Sequence, residues 1–228
     1  MTRSDTDLLD RLARIIAERG EDTTPGPVDD GPSPDEPGHP AYHRRQRVQA
    51  ALSRFDAAAP PRYRGVECDH PAVAAWADQV ATTPDTATSL LLWGGTGSGK
   101  THLAYAAARH VALAGPTRFS FTAWTMPDLY AALRPGAGDA TDRERVMRRA
   151  TTSPLLLLDD LGTARESAWT EETLYRLINA RYNHQRPTLI TTNRSPADLP
   201  DMVGDRVASR VIGMTTRIHI TGTDRRMS

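Results

Sequence analysis

Residues 94–101 read Gly-Gly-Thr-Gly-Ser-Gly-Lys-Thr, which fits G-x-x-x-x-G-K-[ST] at every fixed position. No other feature limits the fold of this chain as tightly. The pattern needs a strand before it and a helix after it. The apolar run Ser89–Trp93 predicts the strand, and Lys100–Ala114 predicts the helix. The glycines let the backbone curl so that amide N–H groups face phosphates, and the helix N-terminus adds its positive end. Lys100 is placed to reach the β- and γ-phosphates of a nucleoside triphosphate, and Thr101 to ligate Mg²⁺. Lys100 is also the only lysine in the chain; every other strong base is arginine. A compact ammonium on a flexible stem suits a tight phosphate loop better than a planar fork does.

The rest of the chain supplies what that loop requires. Leu155–Asp160 is a fully apolar strand ending in two carboxylates, at the C-terminal edge where ligands of open α/β sheets bind. Asp159 is the candidate for the Mg²⁺ shell and Asp160 for orienting the attacking water. Thr191-Thr192-Asn193 ends a further apolar strand, Thr188–Thr192, and places an amide in the same region. Helices are expected at His70–Thr82, Met126–Arg134, around Arg143–Ala150, at Glu171–Gln185 and at Val203–Val211, and strands at Arg118–Trp124 and Arg217–Thr221. Strands alternating with helices imply an α/β fold with a parallel sheet covered on both faces.

The N-terminal part is built differently. Leu8, Leu9, Leu12, Ile15 and Ile16 fall on one face of a helix over 5–19, with Asp5 to cap it and Gly20 to end it. Residues 21–40 hold six prolines, six acidic residues and no Lys or Arg, the composition of a disordered linker. Charge is segregated: residues 1–40 carry four Arg against ten Asp/Glu, and residues 41–64 carry six Arg against one Asp. The expected organisation is a partner-binding helix (1–20), an acidic linker (21–40), a basic helical connector (41–64) and an ATPase domain (65–228). The formal net charge of +0 names no partner, and a single cysteine, Cys68, excludes an internal disulfide framework and a cysteine-rich zinc site. No apolar run is long enough to cross a bilayer and no secretory leader opens the sequence, so a cytoplasmic protein without membrane contact is expected.

The order of these motifs resembles that of AAA+ ATPases of the DnaC/IstB type. The resemblance rests on the phosphate loop continuing into Thr101-His102-Leu103-Ala104 and on Leu158-Asp159-Asp160-Leu161-Gly162. It continues through Trp169-Thr170-Glu171-Glu172, Leu177-Ile178-Asn179-x-Arg181-Tyr182, Pro187 through Asn193, and Arg206-x-x-x-Arg210. Pro60-Pro61-Arg62-Tyr63 is similar to the approach to that fold. It implies a P-loop AAA+ core with a short or absent C-terminal lid, ATP and Mg²⁺ as ligands, and slow hydrolysis stimulated by DNA or a partner. Gly94, Gly95, Thr96, Gly97, Ser98, Gly99, Lys100, Thr101 and His102 would hold the nucleotide, and Thr101 and Asp159 the metal. Asp160 and Asn193 would serve catalysis. Arg210, with Arg206 beside it, would act as an arginine finger in a neighbouring subunit, and Arg226 would contact phosphate. The helix near Met126–Leu133 takes the place of the insertion of the initiator and helicase-loader branch.

In function, the resemblance implies a loader that binds single-stranded DNA and delivers a replicative DnaB-type helicase. It grips the helicase through its N-terminal region and works as a homo-oligomer with shared active sites. An IstB-like transposition helper and an ATP-switched assembly adaptor with little turnover are the alternatives. Arg143, Arg145, Arg148 and Arg149, and the stretch Arg44–Arg54, are the candidate DNA contacts.

Overall fold

The computed structural model describes residues 31–163 and 167–222, together with residues 11, 14–16, 18 and 19. They divide into two units, Met1–Tyr42 and His43–Ser228. In the first, residues 11, 14–16 and 18 are helical, with Ile15 and Ile16 exposed. Leu8, Leu9 and Leu12 of the expected apolar face lie outside the described residues. Residues 31–39 form turns, in which Glu36 N–H donates to the Ser33 carbonyl and the Glu36 carboxylate accepts from Ser33 N–H.

The second unit is a parallel five-stranded sheet with helices on both faces, the AAA+ P-loop arrangement. Its strands are β1 (Ser89–Trp93), β2 (Phe121–Thr125), β3 (Leu155–Asp159), β4 (Thr188–Thr192) and β5 (Thr215–His219), in the order β2-β3-β4-β1-β5. The helices are α1 (Pro40–Ala58), α2 (Pro71–Thr82), α3 (Lys100–Ala114), α4 (Met126–Leu133), α5 (Ala140–Thr152), α6 (Ala168–Asn183), α7 (Leu199–Val203) and α8 (Asp205–Met214). A strand covered on both sides is mostly apolar along its length, and alternate residues separate into two cores. Leu90, Leu92, Leu155, Leu157 and Leu189 join one with Val73, Trp76 and the alanines of α3. Leu91, Leu156, Leu158 and Ile190 join the other with Leu129, Leu177, Ile178 and Val207.

Five elements differ from the sequence reading. Ala51, Phe55 and Ala59 are buried in the first core, so the basic stretch 41–64 contributes to the domain rather than only leading into it. β2 begins at Phe121, three residues later than expected, and β5 runs over Thr215–His219, two residues earlier. The helical stretch expected over Val203–Val211 is two helices, because Gly204 at φ 79° breaks it and starts α8. α6 starts at Ala168, ahead of the expected Glu171, because Ser167 and Thr170 form a reciprocal capping box.

At the N-terminal ends of β3 and β4, Arg181 of α6 is completely buried, with no carboxylate partner among the described residues. Its Nε donates to Thr188 Oγ1 (2.7 Å) and its Nη2 to the Pro187 carbonyl (2.7 Å). Nη1 donates to the carbonyls of Ala150 and Ser153, both at 2.9 Å, and of Thr151 at 3.4 Å. Burial, with a smaller contribution from the charge of Arg186, pushes its pKa down to about 9. One guanidinium thus joins the end of α5 to the starts of two central strands. No described helix is long and apolar enough to cross a membrane, and no helix follows β5 among the described residues.

Candidate functional site

The chain leaves β1 at Trp93 and turns through Gly94–Gly99 into α3. Three glycines of this loop have positive φ, and Gly94 is needed for space as well. A Cβ there would stand 2.3 Å from the Ile220 carbonyl oxygen. Gly99, at φ 95°, is the N-cap of α3, so the positive end of that helix opens on the loop. Lys100 is buried, and its Nζ donates to the carbonyls of Gly95 (2.8 Å) and Gly94 (3.1 Å) and to Ser98 Oγ (3.4 Å).

Two strands over, β3 delivers Asp159 and Asp160. Thr101 Oγ1 donates to both oxygens of Asp159, at 2.9 and 3.2 Å. Thr191 Oγ1 on β4 donates to Asp159 Oδ1 at 2.6 Å and accepts from Asp160 N–H at 2.9 Å. Burial pushes the Asp159 carboxyl above the usual range, and the charge of Asp160 adds to the rise. Thr191, Thr101 and Lys100 oppose it. Asp160 sits at φ 60°, a left-handed conformation that Asp tolerates better than most residues and that turns the chain sharply out of the strand.

Thr96, Gly97, Gly99, Lys100, Thr101, His102, Asp160 and Asn193 line one cleft of about 180 Å³. Arg62 and Tyr63 close it from the segment before α2. Tyr63 stacks on Tyr105 of α3 at 4.4 Å between centroids and meets His102 edge-on at 6.4 Å. Sequence reasoning placed Arg62 and Tyr63 at the approach to the fold and did not assign them to the site. It also missed Thr191, because the pairing of Leu158 with Ile190 that puts Thr191 beside Asp159 is a fact of strand order.

The donor set fits a magnesium–triphosphate ligand. Thr101 and Asp159 offer hard oxygen atoms side by side, the chemistry that Mg²⁺ prefers. Arg206 and Arg210 do not join this cleft. They lie on α8 against Tyr175 of α6. Arg226 lies outside the described residues.

Of the candidate DNA contacts, Arg47 and Arg54 donate to the carbonyls of Gly115 and Phe119 and so tie α1 to the domain. Arg143 donates to the carbonyls of Ala137 and Gly138. Arg145, Arg148 and Arg149 line a shallow groove along α5.

Comparison with known proteins agrees with this geometry. The family model of IstB-like ATP-binding proteins matches residues 70–220. A protein of Mycobacterium tuberculosis described as an ATP-binding protein in an insertion sequence is 32% identical over 183 residues, covering 77% of this chain and 67% of that one. The replicative helicase loader DnaC of Escherichia coli is 27% identical over 124 residues, covering 54% of this chain and 49% of the loader. This chain therefore spans about half of that loader's length. The crystal structure of a DnaC helicase loader superposes with a TM-score of 0.61 at 30% identity, covering 71% of this chain and all of that one. With its phosphate loop, paired carboxylates and five parallel strands in one cleft-bearing unit, the chain belongs to the family of IstB-like ATP-binding proteins and has the AAA+ fold.

Proposed function

We propose that this protein is an ATPase that loads a replicative DnaB-type helicase onto single-stranded DNA in the cytoplasm, working as a homo-oligomer with sites shared between subunits. The observation that carries the ATPase reading is the hydrogen-bonded array Thr101–Asp159–Thr191–Asp160, whose two ends, Thr101 and Asp160, line one cleft with Lys100. On nucleotide binding, the flexible Lys100 amine exchanges loop carbonyls for phosphate oxygens. Thr101 and Asp159 would hold Mg²⁺, which when bound neutralises charge on the phosphates. Asp160 and Asn193 orient a water for attack on the γ-phosphorus, and the bond to the leaving ADP oxygen breaks. Arg210 sits outside its own cleft, as a group serving a neighbour's site must. The likeness to a helicase loader supports the partner. Arg148 and Arg149 are the best-placed DNA contacts, since Arg47, Arg54 and Arg143 are engaged within the fold and Arg145 pairs with Asp142 at 2.8 Å.

The first test is ATPase turnover of wild type and Arg210→Ala, with and without single-stranded DNA, beside a mass measurement in ATP. Assembly and turnover in the wild type, with ATP binding but turnover lowered about 10²–10³-fold in the variant, support the reading. A monomeric wild type with a silent variant leaves a nucleotide-switched adaptor.

A second reading, a transposition helper, is favoured by the insertion-sequence relative, which matches over more of its own length than the helicase loader does. Capture assays with a replicative helicase and with a transposase separate the two. Deleting residues 1–40 should abolish helicase capture and leave ATP binding intact; capture by the shortened chain would remove the N-terminal region from the proposal.

A further inference from the structure

The two arginines of α8 do not project freely. Arg210 Nε donates to Asn179 Oδ1 at 2.9 Å, Nη2 to the Tyr175 hydroxyl at 3.1 Å and Nη1 to the Arg206 carbonyl at 2.9 Å. Its guanidinium carbon lies 4.7 Å from the centroid of the Tyr175 ring. Arg206 packs on the same ring at 3.9 Å. Tyr175 and Asn179 are four residues apart on α6, so one helix face presents a ring, a hydroxyl and an amide oxygen together.

We infer that Tyr175 and Asn179 are positioning residues that hold Arg210 ready for the nucleotide of a neighbouring copy of this chain. The inference rests on the shared-site reading above. A guanidinium carries five N–H donors, and three are engaged here. One N–H on each terminal nitrogen is left over, and each can donate to a phosphate oxygen. Arginine on an exposed helix samples many rotamers, and only a few would meet a phosphate across a subunit boundary. The cradle on α6 removes that freedom before the neighbour arrives, so docking does not have to order the side chain. Arg206 contributes by covering the ring: a cation stacked on Tyr175 restrains the hydroxyl that Arg210 uses. Both elements are anchored, since Leu174, Leu177 and Ile178 of α6 and Val207, Ala208 and Val211 of α8 are buried in one core.

The test uses the full chain with MgATP and single-stranded DNA, and compares wild type with Arg210→Ala, Asn179→Ala, Tyr175→Phe, Tyr175→Leu and the double variant Asn179→Ala/Arg210→Ala. Arg210→Ala is expected to lower kcat about 10²–10³-fold. Asn179→Ala and Tyr175→Leu should each lower it about 10-fold, with KM for ATP within about twofold of wild type. Tyr175→Phe, which keeps the ring and loses the hydroxyl, should fall between. The double variant should be no slower than Arg210→Ala alone, because a residue that acts through Arg210 has nothing left to position. Losses that multiply in the double variant, or a raised KM, would show a merely structural role and overturn the inference. Unchanged turnover in Asn179→Ala and Tyr175→Leu beside a slow Arg210→Ala overturns the cradle and leaves the finger standing. Arg210→Ala as fast as wild type overturns the shared-site reading and the cradle with it.

Discussion

The central sheet has a buried cation near each end, and the two are accommodated in opposite ways. At the C-terminal end Lys100 is held by two loop carbonyls and a serine hydroxyl. At the N-terminal end Arg181 meets five oxygen acceptors fixed by the end of α5 and the starts of β3 and β4. Both charges are buried, yet only the lysine, at the first position of α3, has acceptors that belong to a glycine-rich loop. The planar fork of arginine suits a contact that never changes, and the ammonium suits one that must exchange partners. A buried cation therefore marks a working site only where its partners belong to a replaceable set. Arg181 has no such partners.

The sharpest way to break this contrast is Arg181→Leu, which strands five acceptors at once. It should reduce the free energy of unfolding by about 3–5 kcal/mol in urea titrations, while the protein still folded binds ATP normally. Lys100→Ala should do the reverse, with turnover falling about 10²–10³-fold and the urea midpoint close to wild type. A Lys100→Ala protein as unstable as Arg181→Leu would erase the distinction between the two ends. Arg181→Lys keeps the charge and loses the fork. Three ammonium donors cannot reach all the acceptors, and the expected loss is about 1–3 kcal/mol.

The smallest effect concerns Asp159, whose carboxyl is raised by burial. A folded-state value above the unfolded one means that the folded protein binds the extra proton. This group's contribution to the stability of the nucleotide-free chain therefore falls as pH rises from about 4 through the raised value. Asp159→Asn should abolish that slope and raise nucleotide-free stability near neutral pH, while losing Mg²⁺-dependent turnover. Parallel unfolding curves of the two proteins at every pH would show that burial does not burden Asp159.

The C-terminal end of the sheet was far more legible in the sequence than the other. The glycine loop, Lys100, Thr101 and the carboxylates after Leu155–Leu158 sit at fixed local spacings, and local spacing is what a sequence displays. Arg181 was visible only as part of a family pattern. Its role depends on four segments meeting at one point, and nothing in residues 177–182 says that carbonyls from Ala150 and Pro187 will surround it. Thr191 escaped for the same reason, since it becomes a partner of Asp159 only once β4 is known to lie beside β3. The division of the final helical stretch at Gly204 was a local signal left unused. That glycine sits at φ 79°, and a Cβ there would also collide with the Glu171 carboxylate.

The position of β5 has a consequence for how the protein is made. Its strand pairs with β1, the Ile220 amide bonds to the Trp93 carbonyl, and the Ile220 carbonyl occupies the space beside Gly94. The phosphate loop is thus braced by residues synthesised more than a hundred positions after it. A ribosome that has translated the loop, α3 and both carboxylates has still not produced the wall against which the loop is set. Nascent chains halted before Thr215 would carry the loop, Lys100, Thr101 and both carboxylates and lack the brace, so the loop is set only after β5 has been made.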